Sequence, residues 1–179
     1  MKTNFLMILK NAWPYGLILA GISIVLSVLF YIFNVNMFSI TFAIFSFLIF
    51  VIGIPVTMSI LGCNNLRLKH AKEHQISYLD AAVSCLVILL IGFLISNLYS
   101  YVFNNFIDPE YMKQQISKMA DMLQKYNLPQ DKIDETLTKT ENRMALGPML
   151  LNSLIFGVVI SLIVGLFIRK KDKLDEKMV

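Results

Sequence analysis

From Asn11 to Leu66 the chain carries no Asp, Glu, Lys or Arg, and this stretch constrains the fold more than any other feature. A water-soluble domain has no use for so long an uncharged, apolar interval, but a membrane-spanning helix requires one. In lipid every backbone N–H and C=O must be bonded within its own segment, and about 20 apolar residues cross the hydrocarbon. Of 179 residues, 56% are hydrophobic and 16% charged, and the charges gather at the edges of apolar blocks. The chain reads as an all-α membrane protein with four transmembrane helices, at 13–33, 37–61, 78–103 and 146–168.

The links between the blocks give the topology. Residues 34–36 are the whole connection between the first two spans, which forces an antiparallel pair. Residues 1–12 form a short amphipathic lead at the interface. Lys2 and Lys10 before apolar sequence imitate a signal peptide, but the run is too long for an h-region and no small-residue cleavage site closes it, so an uncleaved signal-anchor is expected. Pro14 falls in the first turn of span one, where a missing N–H does no harm, and Trp13 and Tyr15 supply an interfacial aromatic belt. Gly53 and Pro55 predict a kink in span two, structural rather than a gate. Ser77 and Asp80 have the spacing of a capping box at the start of span three.

Orientation follows from charge. Ten Lys and Arg residues flank the side that holds both termini and the loop 62–77; the other side has six, outnumbered there by seven acids. By the positive-inside rule both termini, that loop and the basic tail 169–179 are cytoplasmic, and 104–145 lies outside, in the periplasm of a bacterial inner-membrane protein. The net charge of +4 is thus topological, and no nucleic-acid partner is implied. The tail also suits anionic lipid headgroups. Cys63 and Cys85 fall on the reducing side and read as small buried hydrophobes.

Motifs for catalysis are missing. His70 and His74 would share a helix face with Glu73 nearby, yet no further ligands complete a zinc site, and a solvated loop is the simpler reading. No His, Glu or Lys lies within a span to activate a serine, and no phosphate-binding glycine loop occurs, so neither an enzyme nor a cofactor is expected. The span centres also lack the ionisable groups that coupled transporters place at mid-membrane.

Packing signals are stronger. Gly157, Ser161 and Gly165 recur every four residues in span four, as do Gly92, Ser96 and Ser100 in span three, and such ridges let membrane helices approach closely, within a monomer or between two copies. Asn97 and Asn152 lie at similar depths, which predicts a hydrogen bond between them across spans three and four.

The polar interval 104–145 has its own pattern. Asp108-Pro109-Glu110 is a helix start: a capping Asp, Pro in the first turn and an acid at the positive end of the dipole. Met112, Ile116, Met119, Leu123 and Tyr126 then make a narrow apolar stripe, Asn127 to Gln130 break the helix, and Ile133, Leu137, Thr140 and Met144 make a second stripe. Glu135 and Lys139 pair four apart. The reading is a periplasmic amphipathic helical hairpin between helices three and four, zipped along these stripes, with attachment to the bilayer surface as the weaker option.

The run Tyr15-Gly16-Leu17-Ile18, the basic turn near Arg67 followed by Ile76-Ser77-Tyr78-Leu79-Asp80-Ala81, and Phe106-Ile107-Asp108-Pro109-Glu110 together resemble a domain-of-unknown-function family of small four-span membrane proteins common in Bacteroidota. That resemblance implies an inner-membrane protein with a periplasmic segment between spans three and four; where the family has a glycine-containing turn, this chain has Glu73-His74-Gln75. The family has no assigned activity, so no catalytic residue carries over. The expected function is a non-enzymatic scaffold or accessory subunit that contacts another envelope protein or a second copy of itself through the hairpin and one small-residue ridge. The alternative is a small-solute or ion conduit formed by an oligomer.

Overall fold

The computed structural model describes residues 5–70 and 76–168, and all regular structure among them is helical. Four helical stretches, Phe5–Ile32, Ile40–Lys69, Tyr78–Ile107 and Leu146–Ile168, are long and apolar enough to cross a bilayer. This is a multi-pass membrane protein.

Span one is the single helix α1 (Phe5–Ile32). It begins well before Trp13, so residues 5–12 are not a separate lead. The reason is packing: Ile8, Asn11 and Ala12 are buried. Asn11 donates through Nδ2 to the Gly62 carbonyl at 2.7 Å and accepts from Asn65 Nδ2 at 2.9 Å. Pro14 consequently lies inside the helix rather than in its first turn.

Span two is built in three pieces: α2 (Ile40–Ser46), a π-helical stretch (Phe47–Gly53) and α3 (Ile54–His70). Ser39 starts it by accepting from the Phe42 N–H at 3.2 Å. The break expected at Gly53 and Pro55 takes the form of the wide π turn. Pro55 has no N–H to give to residue 51 and its ring crowds that carbonyl, so the preceding turn opens, and the Ile54 N–H bonds to the Ile49 carbonyl five residues back. At its other end α3 absorbs most of the expected loop 62–77. His74, Glu73 and the His70 side chain lie outside the described residues.

Span three, α4 (Tyr78–Val102) with a π turn at Phe103–Ile107, is the axis of the bundle and packs most extensively along α1 and α7 (Leu146–Ile168). Its first turn is capped as expected, with Ser77 Oγ accepting from the Asp80 N–H at 3.1 Å. Close approach is built into both crossings. A Cβ on Gly16 would meet Ile91 at 2.7 Å, one on Gly92 would run into Leu19, and one on Gly165 would press the Ala82 backbone at 3.2 Å. The α7 ridge is used inside one chain, with Gly157, Ser161 and Gly165 buried, and of the α4 ridge Gly92 is buried. The tight core, with Cys63, Leu66, Cys85 and Leu89, lies at the end of the bundle away from the link 34–36. Cys63 and Cys85 are free thiols with Sγ atoms 3.0 Å apart. By contrast, no residue of α2 or the π stretch is buried.

The polar interval folds as α5 (Pro109–Lys125) and α6 (Gln130–Arg143), joined by a turn in which Asn127 takes φ 55°. Asp108 Oδ1 accepts from the Tyr111 N–H at 3.0 Å, and Glu135 pairs with Lys139, both as expected. The seam forms along Met112, Ile116, Met119 and Leu123 facing Leu137 and Met144, all half-buried, with Ile133 fully buried and Thr140 Oγ1 3.9 Å from Met119 Sδ. Tyr126 is the exception. It is exposed because α5 stops at Lys125, and Tyr126 opens the turn instead of continuing the stripe.

Candidate functional site: a cavity beneath the hairpin

The hairpin does not stand free. Its helix α5 lies over the end of the bundle, held by three polar contacts: Tyr31 Oη donates to Asp108 Oδ2 at 2.9 Å, the Met37 N–H to Gln115 Oε1 at 3.1 Å, and Lys118 Nζ to Asn34 Oδ1 at 2.8 Å. Asn34, at φ 46°, opens the tight link that these contacts grip. The rings of Tyr31, Phe103 and Tyr111 meet edge to face, with centroids 4.9 Å (Tyr31 and Tyr111) and 5.0 Å (Tyr31 and Phe103) apart. The residues that dock the hairpin, Tyr111, Gln115 and Lys118, occur at four- and three-residue spacing on α5. They form a second, polar stripe beside the apolar one, a signal present in the sequence that apolar periodicity alone does not carry.

Below this roof the spans separate. The hairpin-end half of span two touches span one through side chains, the Phe30 ring standing edge-on to Phe42 at 4.9 Å and near Phe50 at 5.8 Å. Behind these rings is a cavity of about 780 Å³. Its walls are Ser23, Ser27 and Tyr31 of α1, Phe42, Phe47 and Phe50 of span two, Ser96, Asn97 and Ser100 of α4, and Ser153 and Phe156 of α7; its roof is Tyr111, Met112, Thr140, Arg143 and Met144.

The wall looks polar by residue type but is apolar in effect. Ser23 donates to the Leu19 carbonyl at 2.9 Å, Ser46 to Ala43 at 3.1 Å and Ser96 to Gly92 at 2.9 Å, so these hydroxyls return to their own helices. Asn97 is satisfied across the interface, Nδ2 donating to Ser153 Oγ at 2.6 Å and, at 3.5 Å, to the Met149 carbonyl. This corrects the expected pairing of Asn97 with Asn152. Asn152 is exposed on α7, one residue and hence about 100° around the helix from Ser153, which faces α4.

Two groups at the roof remain without partners. Tyr111 is 5% exposed, and among the described residues its hydroxyl has no hydrogen-bond partner; neither does the buried Nε2 of Gln115, one turn further along. Burial, and then the neighbouring Tyr31 and Asp108, push the Tyr111 phenol above its ordinary range, so it stays a protonated donor. Arg143 lines the cavity from its exposed rim and forms no ion pair among the described residues. Nor do three or more His, Cys, Asp or Glu side chains gather among the described residues. What the site offers chemically is an apolar volume with a few hydrogen-bond donors at one end.

Comparison with curated proteins and with solved structures gives no match. A family description, Protein of unknown function (DUF4199), matches residues 14–170, which takes in most of span one, all of the other three spans, the hairpin and every wall of the cavity. The chain belongs to that family of proteins of unknown function.

Proposed function

We propose that this protein is a non-enzymatic accessory protein of the bacterial inner membrane that works by holding an apolar guest in the cavity beneath a periplasmic hairpin. One observation carries the reading: the bundle is open at the hairpin end and closed at the other. Cys63, Leu66, Cys85, Ile88 and Leu89 are each at most 1% exposed, and they leave no passage through that half. A conduit through one chain is disfavoured for the same reason. The seam of the hairpin and the ridge Gly157, Ser161, Gly165 are both used within the chain. A volume of about 780 Å³ lies within the ordinary range for small-molecule sites, roughly 300–1,000 Å³. Any envelope partner would then meet the roof of a loaded or empty site, not a bare apolar stripe.

The test is photolabelling of the full chain in phosphatidylcholine vesicles with a fatty alcohol that carries a photoreactive diazirine. Labels should concentrate on peptides from the hairpin-end halves of α1, α4 and the π stretch, and Ala43→Trp, which fills the cavity, should remove them while leaving lipid-facing labels on α7. Uniform labelling of lipid-facing positions, or release of trapped small solutes by the same vesicles, overturns the proposal, the second in favour of the conduit.

A further inference from the structure

The roof of the cavity has an imbalance of a particular kind: what it lacks is acceptors. Tyr111 Oη–H is buried and unbonded, and Arg143 has no carboxylate partner among the described residues. The nearest acid to Tyr111, Asp108, is already committed, with Oδ1 on the Tyr111 N–H and Oδ2 on the Tyr31 hydroxyl. The Gln115 Nε2, also unpartnered, can only donate, so it does not take up the hydroxyl proton of Tyr111. A buried donor without a partner is costly, so a site with surplus donors beside an apolar volume is complementary to a molecule with an anionic, acceptor-only end and an apolar tail.

Resting on the reading that the cavity holds a guest, we infer that the guest is an anionic amphiphile: one acyl chain lies in the apolar cavity, and its carboxylate or phosphate meets Arg143 and the Tyr111 hydroxyl at the roof. The charge argues against a neutral occupant, since an unpaired guanidinium at the mouth gains a charge-assisted contact from an anion and only the weaker bond to a neutral acceptor from an alcohol. The position argues for an amphiphile over a water-soluble anion. The donors cover one end only, and Phe42, Phe47 and Phe50 line the remainder. The carboxylate or phosphate could belong to a free fatty acid or to a lipid of the bilayer, and the chemistry at Arg143 is the same for both.

Competition against the neutral photoreactive fatty alcohol, in full-length protein in phosphatidylcholine vesicles, tests the inference. Oleic acid and oleyl phosphate should displace cavity labelling at concentrations about 5- to 10-fold lower than oleyl alcohol, the range of a charge-assisted contact. Arg143→Gln should abolish that difference while neutral labelling persists, Arg143→Lys should restore most of it, and Tyr111→Phe should reduce it about 2- to 3-fold. Replacing a third of the phosphatidylcholine with phosphatidylglycerol decides the source: loss of labelling assigns a bilayer lipid, and unchanged labelling with displacement by oleic acid assigns a free amphiphile. Equal potency of acid and alcohol in the unaltered protein, or a preference that survives Arg143→Gln, overturns the anionic assignment and leaves the cavity reading standing. Absence of cavity labelling by the neutral probe overturns both.

Discussion

The contact between Asn97 and Ser153 offers the most discriminating test of how spans three and four are rotated against each other. Asn97 Nδ2 lies 2.6 Å from Ser153 Oγ and 3.5 Å from the Met149 carbonyl, whereas Asn152 is exposed. Interhelical hydrogen bonds of side chains in membranes average about 0.6 kcal/mol and reach about 1.7, because the separated helices also find partners. The short distance to Ser153 puts this bond in the upper half of that range, so Ser153→Ala should cost about 1–1.5 kcal/mol. Asn97→Ala loses the longer contact as well and should cost about 1.5–2 kcal/mol, whereas Asn152→Ala should stay within about 0.5. The double variant at positions 97 and 153 should fall short of additivity by about 1 kcal/mol. Reversible unfolding in mixed micelles with a denaturing detergent gives all four values. A cost at Asn152 equal to that at Ser153, or coupling of Asn97 to Asn152 and not to Ser153, would refute the rotation of α7 and with it the shape of the cavity wall.

Three further outcomes follow from the geometry. Ile133, 2% exposed in the seam, should open the hairpin when replaced by Ala, at a cost of about 2–4 kcal/mol, seen as faster proteolysis in the turn around Asn127 and Leu128. Gly165→Val should destabilise the chain by about 1–3 kcal/mol, because its Cβ would press on the Ala82 backbone; the loss should be independent of protein concentration, whereas a ridge used between copies would show a concentration dependence. In an absorbance titration of the tyrosines, Tyr111→Phe should remove a phase above the ordinary value of 10.0. Since the folded value is raised, the associated stability is fully present below pH 10.0 and is lost as pH rises through the folded value, so the hairpin should loosen in strong alkali in the unaltered protein and less so in the variant.

Why some readings transferred to three dimensions and others did not can be seen residue by residue. The cap at Asp108, the cap at Ser77 and the break at Pro55 are local. Each depends on groups within five residues, so the amino-acid order suffices to locate them. Span one starts at Phe5 and not at Trp13, because what extends the helix is Asn11 bonding to Gly62 and Asn65, more than 50 positions away. Tyr126 was assigned to the seam by spacing alone, and the helix ended one residue too soon for spacing to apply.

Hydropathy was enough for the four apolar spans, because lipid leaves a backbone no choice but to bond within each segment, and helical periodicity for the two helices of the hairpin. The direction in which each side chain points around its helix was not available there. A shift of one residue turns a side chain by about 100°, and the difference between Asn152 and Ser153 is that one residue. Only packing resolves such angles, and it did so in two ways. It drew Gly92 of α4 and Gly165 of α7 into one chain's interior, and it held the hairpin-end half of span two away from its neighbours, so that a cavity opens beneath the hairpin.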